Sequence, residues 1–363
     1  MGNKKLIILT GAIIGLLALT LVKLGNPANM GVCIACFLRD VSGSLGLHQA
    51  KLVQYMRPEI LGIVLGAFLT ARATGDFRAT GGSSPLIRFI LGLTMMIGML
   101  VFLGCPLRVA LRLGAGDLNA LVGLAGLIAG VVAGTLLIRK GFSLGRAGSQ
   151  PKANGYVFPL MVLVLLILLL TSPSLFVFSQ EGPGSMHAPL FISLSAGIVI
   201  GALSQRSRLC LAGGVRDMVL FKNFHLISGF AVIFVVVLVG NLLTGGFKPG
   251  FAEQPIAHTE ALWNFLGMAL AGFSAALLGG CPLRQLVLAS EGNSDSAVTV
   301  LGMLFGAALA HNFGIAASPK GVPANGQIAV LIGLALTAAI GYLFRKWETK
   351  GSLSVKSSVK MLE

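Results

Sequence analysis

Residues 104–108 read Gly-Cys-Pro-Leu-Arg, and residues 280–284 read the same five in the same order. Glycine before proline permits a bend, and proline favours the first turn of a new helix, where its missing N–H is not needed. Each pentapeptide therefore reads as a break, with one helix ending and a short one beginning. A second motif repeats alongside it: Cys33 and Cys210 are each followed six residues later by Arg-Asp, as Arg39-Asp40 and Arg216-Asp217. Cys33 and Cys210 stand 177 residues apart, and Cys105 and Cys281 stand 176 apart. Two motifs recurring at one long spacing mean two equivalent halves, not a solenoid of short repeats.

Outward from the breaks, the chain is a series of apolar runs. Hydrophobic residues make up 55% and charged residues 11%, against about 25% charged in soluble domains. Such a chain cannot clothe a globular surface and belongs in lipid. Its 49 glycines fit close helix packing in a bilayer. The runs are 6–22, 59–71, 86–103, 118–138, 157–171, 189–202, 225–244, 261–279, 297–313 and 327–344. Three of them (59–71, 157–171 and 189–202) fall short of the roughly 20 residues a crossing needs, and 59–71 is the weakest. Shifted by about 177, four of the first five land on runs of the second half. The expected fold is all-α and polytopic, with about ten crossings as two five-crossing repeats. An odd number of crossings forces the second copy to insert upside down, as in many secondary transporters. The expected division is 1–155 for the first repeat with its central linker, 156–188 for the fifth crossing and an external linker, 189–346 for the second repeat, and 347–363 for a tail.

The net charge of +15 would suggest nucleic acid in a soluble protein. Here it reads as basic cytoplasmic loops plus attraction of an anionic substrate, with no nucleic-acid partner. The linker carries Arg139, Lys140, Arg146 and Lys152 without an acid, and the tail carries Arg345, Lys346, Lys350, Lys356 and Lys360. Both are expected in the cytoplasm, so both termini lie inside a cell inner membrane. Residues 172–188 and 314–326 are expected outside. The stretch 23–58 breaks the pattern, since it should be external yet holds Lys23, Arg39, Lys51 and Arg57. Either the first-half topology is wrong or these arginines serve something other than insertion; the repeat mate Arg216 favours the second. The run 6–22 could pass for a signal peptide, but its partner near 189–202 argues that it is retained.

The segments between crossings carry the chemistry. A half-helix start at each break presents free N–H groups and a positive dipole end to an anion. A thiol there can give a weak S–H bond, and Arg108 or Arg284 adds fixed charge three residues on. Any one cysteine alone would read as a small apolar filler, but four at repeat-equivalent sites, each near an arginine, do not. Cys33-x-x-Cys36 resembles a redox or zinc pair, yet no second pair or histidine set accompanies it, so no metal is expected. Cys36 has no repeat mate; Gly213 stands in its place. Arg39-Asp40 and Arg216-Asp217 read equally well as helix-end ion pairs or as substrate contacts. The five histidines do not cluster along the chain. Asp117, Glu291 and Asp295 read as caps after the breaks. No phosphate-cradling loop is present.

The duplicated breaks, and Cys33-x-x-Cys36 running into Arg39-Asp40, resemble the YeeE/YedE family of sulfur-transport membrane proteins, most closely its YedE branch associated with selenium metabolism. The resemblance implies an hourglass-like inner-membrane protein whose thiols hand thiosulfate, or a related sulfur or selenium species, across the membrane. It places relay roles on Cys33 or Cys36, on Cys105 and on Cys281, with Cys210 equivalent by the repeat. It also implies a small cytosolic sulfur-carrier protein as an acceptor. The expected substrate-binding set is Cys33, Cys36, Cys105, Cys210 and Cys281, with Arg39, Arg108, Arg216 and Arg284 for anion capture. No cofactor and no catalytic residue are expected. The alternative reading is a membrane thiol enzyme or redox subunit. Scarce intramembrane carboxylates argue against a cation or drug transporter.

Overall fold

A computed structural model describes residues 4–345. The tail expected at 347–363 lies outside them, with its lysines. Fourteen helices run in chain order: α1 Lys4–Lys23, α2 Ile34–Ser44, α3 Pro58–Thr74, α4 Pro85–Phe102, α5 Pro106–Gly114, α6 Asn119–Arg139, α7 Lys152–Thr171, α8 Leu190–Ser207, α9 Leu211–Phe221, α10 His225–Thr244, α11 Ala261–Leu278, α12 Pro282–Ser290, α13 Ser294–Asn312 and α14 Ala324–Leu343. The chain is an all-α polytopic membrane protein. Among the described residues, nine helices, some of them broken, are long and apolar enough to cross a bilayer. Helix α3 is not among them: its 17 residues span about 25 Å against a hydrocarbon core about 30 Å thick. It lies against α8 and begins at the buried polar residues Arg57 and Glu59, so protein covers what its length does not.

The helices match in order, α1–α7 with α8–α14, and the packing between halves is reciprocal. Where α4 meets α13, α11 meets α6; where α3 meets α8, α10 meets α1; where α5 meets α10, α12 meets α3. Exchange of this kind is what a two-fold relation between the halves produces. Small residues permit it. A Cβ on Gly66 would strike the Ile198 carbonyl, and one on Gly201 would strike the Ile63 carbonyl, so α3 and α8 touch backbone to backbone.

Both breaks form where the pentapeptides stand. Helix α4 stops at Leu103 in the left-handed region, φ 61°, and α11 stops at Gly279, φ 83°, the matching position. Carbonyls freed by a break must be satisfied locally. Arg112 Nη1 donates to the Phe102 carbonyl at 3.0 Å and Arg108 donates to that of Leu103. In the second half Gln285 Nε2 serves Leu278 and Gly280 at 3.2 and 3.3 Å. The loops collect on two faces. On one, the linker face, Thr80-Gly81 pairs with Gly148-Ser149, and Thr80 also bridges to Asn293. Residues 45–57 and 172–189 join on the opposite, distal face, where Gln54 N donates to Ser179 Oγ at 2.8 Å.

Candidate functional site

Four short helices, α2, α5, α9 and α12, point their N-termini inward, and each is capped by a cysteine: Cys33, Cys105, Cys210 and Cys281. Pro106 and Pro282 hold the first turn at the two breaks. Cys33 Sγ instead accepts the Cys36 N–H at 3.4 Å, and Cys210 Sγ accepts that of Gly213 at 3.2 Å. All five cysteines are free thiols and buried.

They form two clusters. In the first, Cys33 Sγ lies 2.9 Å from Cys36 Sγ and 3.8 Å from Cys105 Sγ, and Arg108 Nη1 reaches Cys36 Sγ at 3.6 Å. In the second, the Cys281 N–H donates to Cys210 Sγ at 3.3 Å. Cys105 lies within electrostatic range of Cys281. Residues 72 and 71 positions apart in sequence thus meet because each half-helix start faces the break of its own half.

The arginines divide by half. Arg108 is fully buried; besides Cys36 it donates only to the carbonyls of Asn29, Leu103 and Ile256. Arg39 pairs with Asp40 at 2.7 Å, and Arg57 pairs with the other oxygen of the same carboxylate at 2.8 Å. That clamp accounts for two of the four cations that break the charge pattern of 23–58: Arg39 and Arg57 are interior side chains. Arg112 pairs with Asp117 at 2.6 Å. Three of the four buried guanidiniums therefore engage two carboxylates, and Arg108 engages none. Two further carboxylates are buried: Glu59 is engaged by Asn26 and Ser193, and Asp295 by the Gly82 and Ser83 amides. In the second half Arg216 pairs with Asp217 at 2.9 Å and Arg284 with Glu291 at 3.4 Å, both partly exposed.

That exposure comes from a cavity of about 640 Å³ on the linker face, lined by Arg206, Arg208, Arg216, Arg284 and His225, with Cys210 in its wall. Loop 45–57 has thirteen residues where loop 222–224 has three, and it seals the distal side. Tyr55 stacks on His187 with ring centres 4.3 Å apart, and Arg57 donates to the carbonyls of Pro183 and Met186. Burial holds the His48 imidazole below its ordinary range. Its ring lies 4.6 Å from that of His311, so these two histidines meet although 263 residues separate them in sequence. Asp117 accepts from Asn119 N at 2.9 Å as a cap would. Asp295 is no cap; it binds the Gly82 and Ser83 amides and so ties loop 75–84 down.

Sequence reasoning missed Arg206, Arg208 and His225 in the vestibule, and it missed Arg57 as a partner of Asp40. The first two sit four and two residues before Cys210, and that proximity was the available signal.

A family model described as sulphur transport matches residues 206–354, which include Cys210, Cys281 and the second break. The chain is also 28% identical over 107 residues to the thiosulfate transporter TsuA of Escherichia coli (strain K12). That match covers 30% of this chain and 30% of TsuA.

Proposed function

We propose that this protein is a member of the sulphur-transport family that carries a sulfur- or selenium-exposing anion, thiosulfate-like in charge and shape, across a cell inner membrane. The observation that carries the reading is Arg108. A guanidinium taken fully out of water needs an anion, yet among the described residues no carboxylate lies within ion-pair distance of it. Its nearest soft neighbour is a thiol, beside two more. Arginines alone would welcome sulfate equally. Thiols give weak S–H contacts suited to a terminal sulfur or selenium, whereas sulfate offers only hard oxygens.

In this reading Arg39, Arg108, Arg216 and Arg284 gather the anion, and the cysteines pass it from Cys33, Cys36 and Cys105 to Cys281 and Cys210. The linker face is cytoplasmic, because Arg72, Arg78, Arg139, Lys140, Arg146 and Lys222 crowd it. A cytosolic sulfur-carrier protein would receive the cargo there. The match to the sulphur-transport model and the likeness to TsuA support the substrate class. The test is uptake of labelled thiosulfate, and of selenite, into vesicles carrying the full chain, with excess sulfate as competitor. Thiosulfate uptake that sulfate barely inhibits is expected; equal competition by sulfate would overturn the discrimination by thiols.

A further inference from the structure

Cys36 is one thiol more than a relay built from the repeat requires. Each half supplies a cysteine at a short-helix start and one at a break, and the second half manages with Gly213 where the first has Cys36. The extra thiol is placed closely: Cys36 Sγ is 2.9 Å from Cys33 Sγ. The pair occupies the first and fourth positions of a Cys-x-x-Cys helix start, and the Cys36 amide points at Cys33 Sγ. Backbone N–H groups at such a start favour negative charge on the leading sulfur. Arg108, on the other side of Cys36, supplies a cation to an oxyanion or to a second thiolate.

We propose that Cys33 and Cys36 form a dithiol that reduces thiosulfate within the membrane, cleaving it to sulfite and sulfide. The proposal rests on the transport reading only for how thiosulfate reaches these buried thiols. The Cys33 thiolate attacks the outer sulfur of thiosulfate. A bond forms between Cys33 Sγ and that sulfur, the sulfur–sulfur bond of thiosulfate breaks, and sulfite leaves with the electron pair, next to Arg108. The Cys36 thiolate then attacks Cys33 Sγ. The bond to the outer sulfur breaks, and that sulfur departs as hydrosulfide. Two thiols and one thiosulfate have become one disulfide, one sulfite, one hydrosulfide and one proton. Thiosulfate is the oxidant, so no other is needed for one turnover. A further turnover needs an added dithiol to reduce the Cys33–Cys36 disulfide by exchange. The second cluster has no Cys-x-x-Cys pair, since Gly213 stands where Cys36 stands in the first.

The full-length protein in vesicles is incubated with thiosulfate, and three quantities are read: released sulfite and sulfide, the intact mass of the chain, and uptake of label. Wild type should release one equivalent of each product and lose about 2 Da as the disulfide forms. With dithiothreitol present, product release should continue beyond one equivalent. C36A should stop at a persulfide about 32 Da heavier, releasing sulfite but no sulfide. C33A should give neither product nor mass change. Uptake without sulfite release or mass change in the wild type would overturn the dithiol step and leave the transport reading standing. Product release without uptake would support the step and overturn transport. A C36A chain that still released sulfide would overturn the role of Cys36.

Discussion

Arg108 has a structural task and, under the proposed function, a second one as the cation for the anion. It satisfies the Leu103 carbonyl freed by the break, and its remaining N–H groups face carbonyls and a thiol. Carbonyl dipoles would satisfy hydrogen-bonding capacity, but they supply no net charge. Arg108→Lys keeps the charge and loses the planar fork. Hydrogen bonds to charged groups contribute about 1.5–3 kcal/mol, so apparent affinity for thiosulfate should fall roughly 10- to 100-fold while preference over sulfate is kept. Cys281→Ala removes little volume at a site where no other thiol occupies its position, so uptake should be lost with the detergent melting temperature nearly unchanged. Uptake assays paired with a thermal melt separate the two effects; a Cys281→Ala chain that transports at the wild-type rate would refute the thiol path. Cys33, Cys105, Cys210 and Cys281 and their arginines were visible in the sequence because the repeat marks them twice. Arg57 carried no such mark, since its contact with Asp40 depends on how loop 45–57 folds back.

At the scale of elements, the sequence was legible wherever lipid imposes the pattern. Nine of the ten apolar runs lie on helices long and apolar enough to cross, because a helix facing hydrocarbon must be apolar along its length. Helix α3 was faint for the same reason in reverse: it faces α8 and its start is buried with polar partners, so length and hydropathy were free to fall. The short helices α2 and α9 were legible only as short broken or re-entrant helices carrying the cysteine motifs, and not as crossings, being 11 residues each and interrupted by Arg-Asp. What makes them helices is tertiary, a cysteine cap at one end and packing against the long helices at the other. The α3–α8 contact is the most sensitive of these supports. Gly201→Leu would drive a side chain into the Ile63 backbone, and overpacking of this kind costs about 1–3 kcal/mol. A lowered melting temperature in detergent is expected, with a matching loss for Gly66→Leu on the other helix. An unchanged melt for both would mean that the two backbones do not touch.

The two halves are alike in path and unlike in access, and that difference is a statement about the whole molecule. A perfect two-fold would give each face a vestibule. Instead loop 45–57, held by the Tyr55–His187 stack and by Arg57, closes the distal face over Cys33, Cys36 and Cys105, while the three-residue loop 222–224 leaves Cys210 in the wall of an open, arginine-lined cavity. If the proposed transport runs by alternating access, the closed face must open at another stage, and this arrangement is the end of the cycle in which the linker face is open. A charged, membrane-impermeant maleimide should therefore modify Cys210 first, and only when applied to the linker face. Sealed vesicles of the two orientations distinguish the faces, and peptide mapping identifies the labelled cysteine. If the linker face is cytoplasmic, inside-out vesicles react and right-side-out vesicles do not. The thiols of the first cluster should stay protected until thiosulfate is supplied and the cycle turns over. Early labelling of Cys33 or Cys105 from the distal face would show that loop 45–57 does not seal it.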